Sequence, residues 1–417
     1  MQSLKPQKNE EKDVVIVGAG VGGLTLGLLL GEQGFRVTIL DQRKAIEPLS
    51  KPELLQPAGL EILDALGVLE RLRARSVVRC EVFDFFSAGG HPLCRVDYRR
   101  LKHRFPYVLI AFPHVTQSVL LEGLSNCPAV RVRWGCTFSG LVRSVGGLSH
   151  ATFWENGELR RVATQVVIGA DGRHSRVRTA AGIRAVRTCY RDGFVTLVVR
   201  RPSSFEDAVR YHVGRRRILG MFPVSPERLC LLFMVPAEGF DAVKARGLSA
   251  LKAEISAIDE GMADALSEVT DWSRVSYMDC QTVRVGSWVA DGMALLGDAA
   301  HACHPHVAQG NAQAMLDATA LCPVLKRCFE DGDFSAERLS AYEDARRPPV
   351  ERLQRIAHEY AWLWNTGNPL LAWLRDRAFR GIGRRPNLLS KVLETEAGLR
   401  VAPLTVAERL QALGVFS

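Results

Sequence analysis

The amino-terminal part of the chain contains a glycine-rich turn between a short apolar strand and a leucine-rich helix. The run 13–17 (Asp-Val-Val-Ile-Val) has the β-branched composition of a buried parallel strand, and Gly18-Ala-Gly-Val-Gly-Gly23 follows it directly. A helical stretch at 24–33 and a second predicted strand at 36–40 come next, and Asp41 ends that strand. This order of strand, glycines, helix, strand and acid predicts a dinucleotide-binding βαβ unit.

Each of the glycines has a physical role in such a unit. Gly18 permits the tight turn after the strand, Gly20 lets the backbone approach a pyrophosphate, and Gly23 lets the helix and strand pack closely. The pyrophosphate would sit on free N–H groups at the positive end of the helix. Asp41 can accept hydrogen bonds from the ribose hydroxyls of an adenosine.

Two later segments repeat the pattern of a strand that leads into a turn with an acid. The segment 165–178 indicates a strand, a turn at Asp171 and a helix start at which Ser175 is a plausible N-cap. The segment 293–301 runs from a strand into Gly297-Asp298 and continues into a predicted helix at 311–328. Taken alone, each segment is equally compatible with an ordinary βα turn.

Together the three segments resemble the single-component flavoprotein aromatic hydroxylases of the 4-hydroxybenzoate and salicylate hydroxylase type. The ubiquinone-pathway hydroxylases belong to the same superfamily. The motifs G-x-G-x-x-G at 18–23, G-A-D-G-x-x-S-x-V-R at 169–178 and G-D-A-A-H at 297–301 carry the resemblance, which extends over roughly residues 13–345. It implies an α/β fold, in which a Rossmann-like FAD-binding domain carries an inserted antiparallel-sheet substrate domain and a helical C-terminal tail.

The resemblance and the strand pattern together predict the domain boundaries. The FAD-binding domain is expected at 12–79, 105–183 and 275–345, the substrate domain at 80–104 and 184–274, and a helical region at 346–417. A hairpin (82–86 and 93–96) and a strand-rich region at 190–236 are predicted to form the substrate sheet, with a proline-marked turn at 220–226. The tail is predicted to be helical, with breaks at 347–349 and 381–386.

The resemblance also implies the site residues. FAD would lie extended along the sheet, with Asp298 at its ribityl chain and Asp171 near the pyrophosphate and the approach of the nicotinamide donor. The candidate cofactor-binding residues are Gly18, Gly20, Gly22, Gly23, Asp41, Gln42, Arg43, Gln117, Asp171, Gly297, Asp298, Pro305, Gly310 and Asn311. The candidate catalytic residues are Pro305, Tyr211 and His212; the last two are also compatible with satisfied residues of the sheet.

One segment departs from the pattern of the family. The family reads P-x-x-G-Q-G-x-N, whereas this chain has Ala308 in place of the glycine before Gln309, and Asn311 stands one position early. The predicted helix opening at Gly310 and Asn311 could still offer its positive end and free N–H groups to the negative charge of reduced flavin. Which side chain of this segment touches the flavin is left open.

The implied reaction is the hydroxylation of a phenolic or heteroaromatic substrate. NADH or NADPH would reduce the flavin, and O₂ would add to it as a C4a-hydroperoxide that transfers oxygen to the ring. The alternatives are a hydroxylase of a polyprenylated quinone precursor at the membrane, and a halogenase, epoxidase or reductase of the same superfamily. A non-enzymatic FAD-fold binding protein is the alternative of a different class.

Composition narrows the range of partners. The 54 Lys and Arg against 45 Asp and Glu give a net charge of +9, but no long basic run indicates nucleic-acid binding. Ten dispersed cysteines without a C-x-x-C pair predict no disulfide framework or zinc ribbon and favour a reducing compartment, so we expect a cytoplasmic protein without a metal site. We expect a monomer or a homodimer. The polar start indicates no secretory signal, and no apolar run reaches the roughly 18 residues of a spanning helix.

The tail contains tryptophans and arginines close together at 362–385. They are compatible with packing of the tail against the body of the protein or with peripheral membrane contact.

Overall fold

The computed structural model describes residues 13–48, 51–144 and 147–415. Within them the strands are β1 (Asp13–Val17), β2 (Arg36–Asp41), β3 (Glu53–Leu55), β4 (Val78–Cys80), β5 (Val82–Ser87), β6 (Pro92–Asp97), β7 (Val108–Ala111), β8 (Val130–Trp134), β9 (Cys136–Ser144), β10 (Gly147–Glu155), β11 (Glu158–Ala163), β12 (Val166–Gly169), β13 (Ala185–Arg200), β14 (Val209–Val213), β15 (Ile218–Pro223), β16 (Arg228–Pro236), β17 (Val275–Val285), β18 (Val289–Ala290) and β19 (Met293–Leu295). The helices are α1 (Val21–Glu32), α2 (Pro57–Ala65), α3 (Leu69–Arg73), α4 (Pro113–Gly123), α5 (Arg176–Ala180), α6 (Phe240–Ala245), α7 (Leu248–Ser256), α8 (Ala263–Ser267), α9 (Asp298–His301), α10 (Gly310–Asp331), α11 (Ala336–Trp364), α12 (Pro369–Gly383), α13 (Pro386–Glu396) and α14 (Val406–Ala412).

The first large sheet has the predicted Rossmann-like character. Its order is β18-β19-β12-β1-β2-β8, and the pairs from β19 to β8 are parallel. β12 is buried along its whole length and β1 along all but its first residue, as their β-branched runs predict for central parallel strands. Helix α1, which starts at Val21 rather than at 24, packs against α10.

The second large sheet joins the two predicted pieces of the substrate region. Its order is β17-β13-β16-β15-β14-β5-β6, so the hairpin β5–β6 and the strands after residue 185 share one sheet. The prediction of an antiparallel sheet holds at every pair except β14–β5, which is parallel. Between β6 and β14 the chain forms β8 and β12, which belong to the six-stranded sheet. No hairpin therefore fixes the relative direction of these two strands.

The predicted turn at 220–226 begins too early, and the predicted domain boundary at 274 separates strands of one sheet. Gly220–Pro223 is not a turn, because all four residues belong to the buried strand β15. The proline sits at the last position of that strand, where its missing N–H is tolerated, and the chain turns only after it. Strand β17 pairs with β13 over most of its length, so it belongs to the seven-stranded sheet although it begins beyond the predicted boundary at 274.

The tail is helical as predicted, but one of its two predicted breaks is wrong. Helix α11 runs through Pro348 and Pro349 without ending. Proline has a helical φ, and the helix is held by packing on both sides of the pair, since Arg346, two residues before Pro348, and Val350, directly after Pro349, are buried. The second break is confirmed, because α12 ends at Gly383 and α13 begins at Pro386. Helices α11 to α13 cover the seven-stranded sheet and share an apolar core with it.

Candidate active site

The glycine-rich loop after β1 combines tight packing with an open backbone. Gly18 has a φ of +111°, and a Cβ built on it would lie 2.3 Å from the carbonyl oxygen of Ala170. A Cβ on Gly23 would lie 2.0 Å from the carbonyl oxygen of Gly18, and one on Gly22 would lie 2.6 Å from the side chain of Leu296. A Cβ on Gly20, by contrast, would meet no atom within 4 Å. Gly20 is therefore the position at which a ligand can approach the backbone.

The acid at the end of β2 is held in place by the loop and by a nearby arginine. Oδ2 of Asp41 accepts a hydrogen bond from the backbone N–H of Ala19 at 2.8 Å and pairs with Nη2 of Arg43 at 2.8 Å. Nη1 of Arg43 donates to Oε1 of Gln117 on α4 at 3.2 Å. Burial acts to raise the pKa of Asp41, but the bonds from Arg43 outweigh it and the pKa is lowered. Gln42 is exposed beside this network.

The second predicted segment ends in a capped helix. Oδ2 of Asp171 accepts hydrogen bonds from the N–H groups of Arg176 at 2.7 Å and Val177 at 3.1 Å. Its Oδ1 is buried and has no hydrogen-bond partner within the described residues. Burial raises the pKa of Asp171, although its hydrogen bonds oppose the rise. Ser175 is the N-cap of α5, as predicted, and its hydroxyl accepts from the third residue of the helix.

Arg178 connects the second segment to the third. Its Nη1 donates to the carbonyl oxygen of Ala299 in α9 at 2.7 Å, and its Nη2 donates to the carbonyl oxygen of Arg173 at 2.9 Å. The side chain is buried. Arg178 thus fixes the spacing between the turn at Asp171 and the turn at Asp298.

A buried ionic network supports the turn at Gly297 and Asp298. Gly297 has a φ of +59°, and its N–H donates to Oδ2 of Asp317 on α10 at 2.9 Å. The same carboxylate contacts Nε2 of His301 at 2.5 Å and Nε of Arg346 at 2.8 Å. Burial acts to raise the pKa of Asp317, but the charges of His301 and Arg346 outweigh it, so the pKa is lowered. Asp298 itself is exposed, so its carboxylate can reach a ligand.

The loop before α10 contains the position where the family has glycine. Pro305 begins a short 3₁₀ turn (Pro305–Val307), and Ala308 follows it with a φ of +47°. A positive φ costs an alanine roughly 1–2 kcal/mol relative to a right-handed conformation. The positive φ gives a reason for glycine at this position, and here an alanine adopts it.

The side chains of Gln309 and Asn311 are turned towards protein groups. Nε2 of Gln309 donates to the carbonyl oxygen of Thr395 on α13 at 2.5 Å, and Nδ2 of Asn311 donates to the carboxyl of Glu53 on β3. Around Gly310 an added Cβ would meet nothing within 4 Å. What this loop offers a ligand is thus the backbone at the start of α10, whose first N–H groups lack partners within the helix.

The four strand ends converge on one edge of the six-stranded sheet. The turns at Gly18, Asp41, Asp171 and Gly297 follow β1, β2, β12 and β19, which are parallel neighbours. Ligands of open α/β sheets bind at this carboxyl edge. Open backbone at Gly20 and an unpartnered buried oxygen on Asp171 lie there with the start of α10 nearby, and these features fit an extended dinucleotide.

A cavity of about 490 Å³ lies between the seven-stranded sheet and the tail helices. His306 and Ala308 line it, so it begins at the loop before α10. Its other walls come mainly from β5, β6, α11, α12 and α13. Most of these side chains are apolar, and the polar exceptions include Tyr98, Tyr360 and Glu396.

Tyr211 and His212, which are neighbours on β14, face opposite sides of the sheet. Tyr211 lines the cavity and stacks on Phe85 with ring centroids 5.2 Å apart. His212 stacks on Phe86, and its Nε2 lies 3.6 Å from Oδ2 of Asp259. Burial lowers the pKa of His212. The structure thus places Tyr211, but not His212, at the cavity.

Sequence reasoning missed four charged residues near the site: Glu53, Asp317 and Arg346, which are buried, and Glu396, which is partly buried. A signal existed for Asp317, which lies four residues from both Gln313 and Leu321 on the buried stripe of α10. A carboxylate at that spacing requires a partner in the core. Glu53 and Glu396 carry no such signal, because their burial depends on how distant elements pack.

Three further observations concern metals, thiols and membranes. Among the described residues no three His, Cys, Asp or Glu side chains are grouped to hold a metal ion. The ten cysteines are free thiols. No described helix has the length and apolar character needed to cross a bilayer.

The chain is similar to known FAD-dependent proteins. A family model described as an FAD binding domain matches residues 11–357. The chain is 31% identical to a 6-methylpretetramide 4-monooxygenase from Streptomyces rimosus over 406 residues, 95% of each protein. It is 29% identical to a ubiquinone hydroxylase from Rhodospirillum rubrum over 356 residues, 81% of this chain and 78% of the relative. The crystal structure of p-nitrophenol 4-monooxygenase from Pseudomonas putida shares the fold, with a TM-score of 0.80 at 19% identity over 94% of this chain and 99% of that one.

Proposed function

This chain belongs to the FAD-binding-domain family of flavoprotein monooxygenases, and we propose that it hydroxylates an aromatic substrate with O₂ and electrons from NADH or NADPH. The observation that carries the proposal is the shared loop. The segment at His306 and Ala308 both leads into the start of α10 and lines the large cavity. A flavin at the carboxyl edge of the sheet would therefore adjoin a substrate in the cavity.

FAD would be held by the residues that converge on the sheet edge. The backbone at Gly20 would receive the pyrophosphate, Asp41 the adenosine ribose, and the exposed carboxylate of Asp298 the ribityl chain. Once bound, FAD would supply the redox chemistry of this family, which is hydride acceptance from NAD(P)H and activation of O₂.

The protein's own contributions are electrostatic and steric. The N-terminus of α10 at Gly310 carries roughly half a positive charge, which favours the anionic form of reduced flavin. Asp317 fixes the turn beside it through Gly297, so that this geometry is set before the ligand arrives. The apolar walls of the cavity hold the aromatic ring, with Tyr211 and Pro305 as proposed contacts, and exclude water from the reacting atoms.

The nicotinamide donor is proposed to dock transiently on the FAD-binding domain. The described residues contain one sheet of the dinucleotide-binding type, and its edge is the proposed FAD site. Asp171 lies next to that edge, where its carboxylate holds the start of α5 through the N–H groups of Arg176 and Val177. Replacement of Asp171 should therefore affect reduction by NAD(P)H.

A second candidate is the hydroxylation of a polyprenylated quinone precursor at a membrane surface. Trp362, Leu370 and Trp373 are exposed on the tail helices, at 60%, 63% and 55%. The prediction that the tail tryptophans pack against the body therefore holds only for Trp364. Flotation with anionic liposomes would test this candidate: salt-sensitive binding that is lost in a folded Trp362→Ala/Trp373→Ala variant would favour it over a soluble substrate.

The function is tested by measuring FAD content and then substrate-dependent oxidation of NADH and NADPH. We expect a yellow protein with about one FAD per chain, whose NAD(P)H oxidation is accelerated by phenols, fused-ring phenols or heteroaromatic acids. Mass spectrometry should find a product heavier by one oxygen atom, with the label of ¹⁸O₂. A protein that stays colourless after incubation with FAD would refute the proposal, and so would oxidation without oxygen incorporation for every substrate class.

A further inference from the structure

The cavity contains a carboxyl group that the proposed chemistry does not use. Glu396, at the end of α13, lines the cavity, and its carboxyl contacts the hydroxyl of Tyr360 on α11. Tyr98 and Tyr211 also line the cavity, and the charge of Glu396 acts on the hydroxyls of both. Three tyrosines from separate elements thus lie around the carboxyl of Glu396, while the other carboxyl in the lining, Glu359, is paired with Arg409.

The cations near this chamber are engaged elsewhere. Arg375 is buried and donates to the carbonyl oxygens of Val213 at 3.1 Å and Gly214 at 2.8 Å. Arg409 pairs with Glu359 at 2.8 Å where the two side chains are about half exposed. Glu396 therefore sits in the cavity without a charge partner among these arginines. A buried carboxyl costs free energy unless its hydrogen-bonding capacity is used.

The carboxyl has capacity for one more partner on the cavity side. Tyr360 takes up part of its accepting capacity, and a carboxyl group can accept further hydrogen bonds through its remaining lone pairs. Burial raises the pKa of Glu396 to about 8, opposed by the hydroxyl of Tyr360. At neutral pH the group is thus mainly uncharged, and it suits a neutral polar partner. An aromatic carboxylate would instead be buried beside an acid with no free guanidinium to pair with it.

We propose that Glu396 is a specificity-determining residue, which accepts a hydrogen bond from a hydroxyl group of a neutral, fused-ring aromatic substrate. The volume of about 490 Å³ exceeds what one ring fills and lies in the range of sites for larger ligands. The aromatic wall formed by Phe85, Tyr211 and Phe379 suits a flat polycyclic ligand. This inference rests on the proposed function, because it names the class of substrate that the same cavity would bind.

A matched ligand series tests the inference without turnover. The FAD-loaded enzyme is titrated at mildly acidic pH with 2-hydroxyanthraquinone, anthraquinone and anthraquinone-2-carboxylate. Quenching of the fluorescence of Trp362 and Trp364, which line the cavity, reports binding. We expect the hydroxyl compound to bind about tenfold more tightly than anthraquinone, as one hydrogen bond to a carboxyl predicts, and the carboxylate to bind most weakly.

Variants locate the effect at Glu396. Glu396→Leu should remove the advantage of the hydroxyl compound over anthraquinone, whereas Glu396→Gln, which keeps an acceptor oxygen, should retain much of it. Glu394→Gln, two residues earlier on α13 and outside the cavity lining, is the control and should behave as the parent protein. Thermal melting and FAD content confirm that each variant is folded.

Several outcomes would overturn the inference. They are a hydroxyl advantage that persists in Glu396→Leu, a preference of the parent protein for the carboxylate, and failure of all three ligands to bind. If these occur in a protein that holds FAD and hydroxylates another aromatic compound, only the substrate class is wrong. If the ligands bind as expected but no aromatic compound is ever hydroxylated, the proposed function fails while the binding site stands.

Discussion

Nε of Arg346 lies 2.8 Å from Oδ1 of Asp317, and both side chains are buried between α10 and α11. The carboxylate also accepts from the N–H of Gly297, so this ion pair links the tail helix to the turn that carries Asp298. Helix α11 is thereby coupled to the proposed flavin site.

Removal of the arginine should destabilise both the fold and the site. Arg346→Met leaves Asp317 buried with one fewer cation, and breaking a buried pair in this way costs roughly 3–5 kcal/mol. Urea unfolding should show this loss, and FAD should be retained less well. Arg338→Met is the control on the same helix, because its pair with Asp331 is solvent-exposed and should be worth less than about 1 kcal/mol. Equal losses in the two variants would contradict this account of the network.

Asp298 should contribute to FAD binding and little to folding. Its side chain is exposed, so Asp298→Ala is expected to leave the stability of the FAD-free protein nearly unchanged. Loss of one charge-assisted hydrogen bond to the cofactor should cost roughly 1.5–3 kcal/mol, about ten- to a hundredfold in Kd. Titration of FAD-free protein with FAD measures this, with Glu330→Ala as an exposed-acid control. An unchanged Kd would show that Asp298 does not touch the cofactor.

The sequence predicted the cofactor-binding half of the fold best because its signals are local. The glycine motifs, the β-branched strands β1 and β12, and the cap at Ser175 are each set by neighbouring residues, and the structure has all of them. The parallel pair β14–β5 and the uninterrupted α11 depend on contacts between distant segments. For α11 the local rule predicted a break, but packing around Val350 outweighs the penalty of the two prolines.

The candidate site residues, too, could be placed from the sequence only where the signal is local. Asp41 and Asp171 follow their strands directly, so their places could be read from the chain. Tyr211 and His212 are adjacent in sequence, yet only one faces the cavity, since the alternation of a strand does not say which face is covered. The partners of Asn311 and Glu396 come from β3 and α11, far away in sequence, and no local pattern indicates them.

The backbone strain at Ala308 should be measurable. Ala308→Gly removes the roughly 1–2 kcal/mol cost of a positive φ but adds flexibility to the unfolded chain, which opposes it by about 0.5–1 kcal/mol. We therefore expect the free energy of unfolding to rise by about 0.5–1 kcal/mol. Ala302→Gly, at a nearby residue with a φ of −50°, relieves no strain and should lower it. Thermal and urea unfolding decide the signs, and a loss of stability in both variants would show that Ala308 is not strained.

Glu53 should make stability fall as pH rises. It is buried and hydrogen-bonded by Thr116 and Asn311, and burial raises its pKa from 4.5 to about 7 although those bonds oppose the rise. Because the pKa in the folded state is the higher one, the contribution is fully present below about 4.5 and is lost as pH rises through about 7. The loss should amount to roughly 3 kcal/mol, from 1.36 kcal/mol per pKa unit.

In Glu53→Gln this pH-dependent part of the free energy of unfolding should disappear, because the amide does not titrate. The amide still keeps an oxygen for Asn311. Urea unfolding of the parent protein and the variant at a series of pH values measures the difference between them. The difference in the free energy of unfolding between the parent protein and Glu53→Gln should change steadily between about pH 4.5 and 7 and level off above. The corresponding difference for Glu396→Gln should continue to change up to about pH 8. Glu330→Gln, an exposed acid, is the control and should run parallel to the parent protein. Parallel curves for the parent protein and Glu53→Gln would contradict this prediction. They would mean that Glu53 is charged in the folded state, where Asn311 and Thr116 hold its carboxylate.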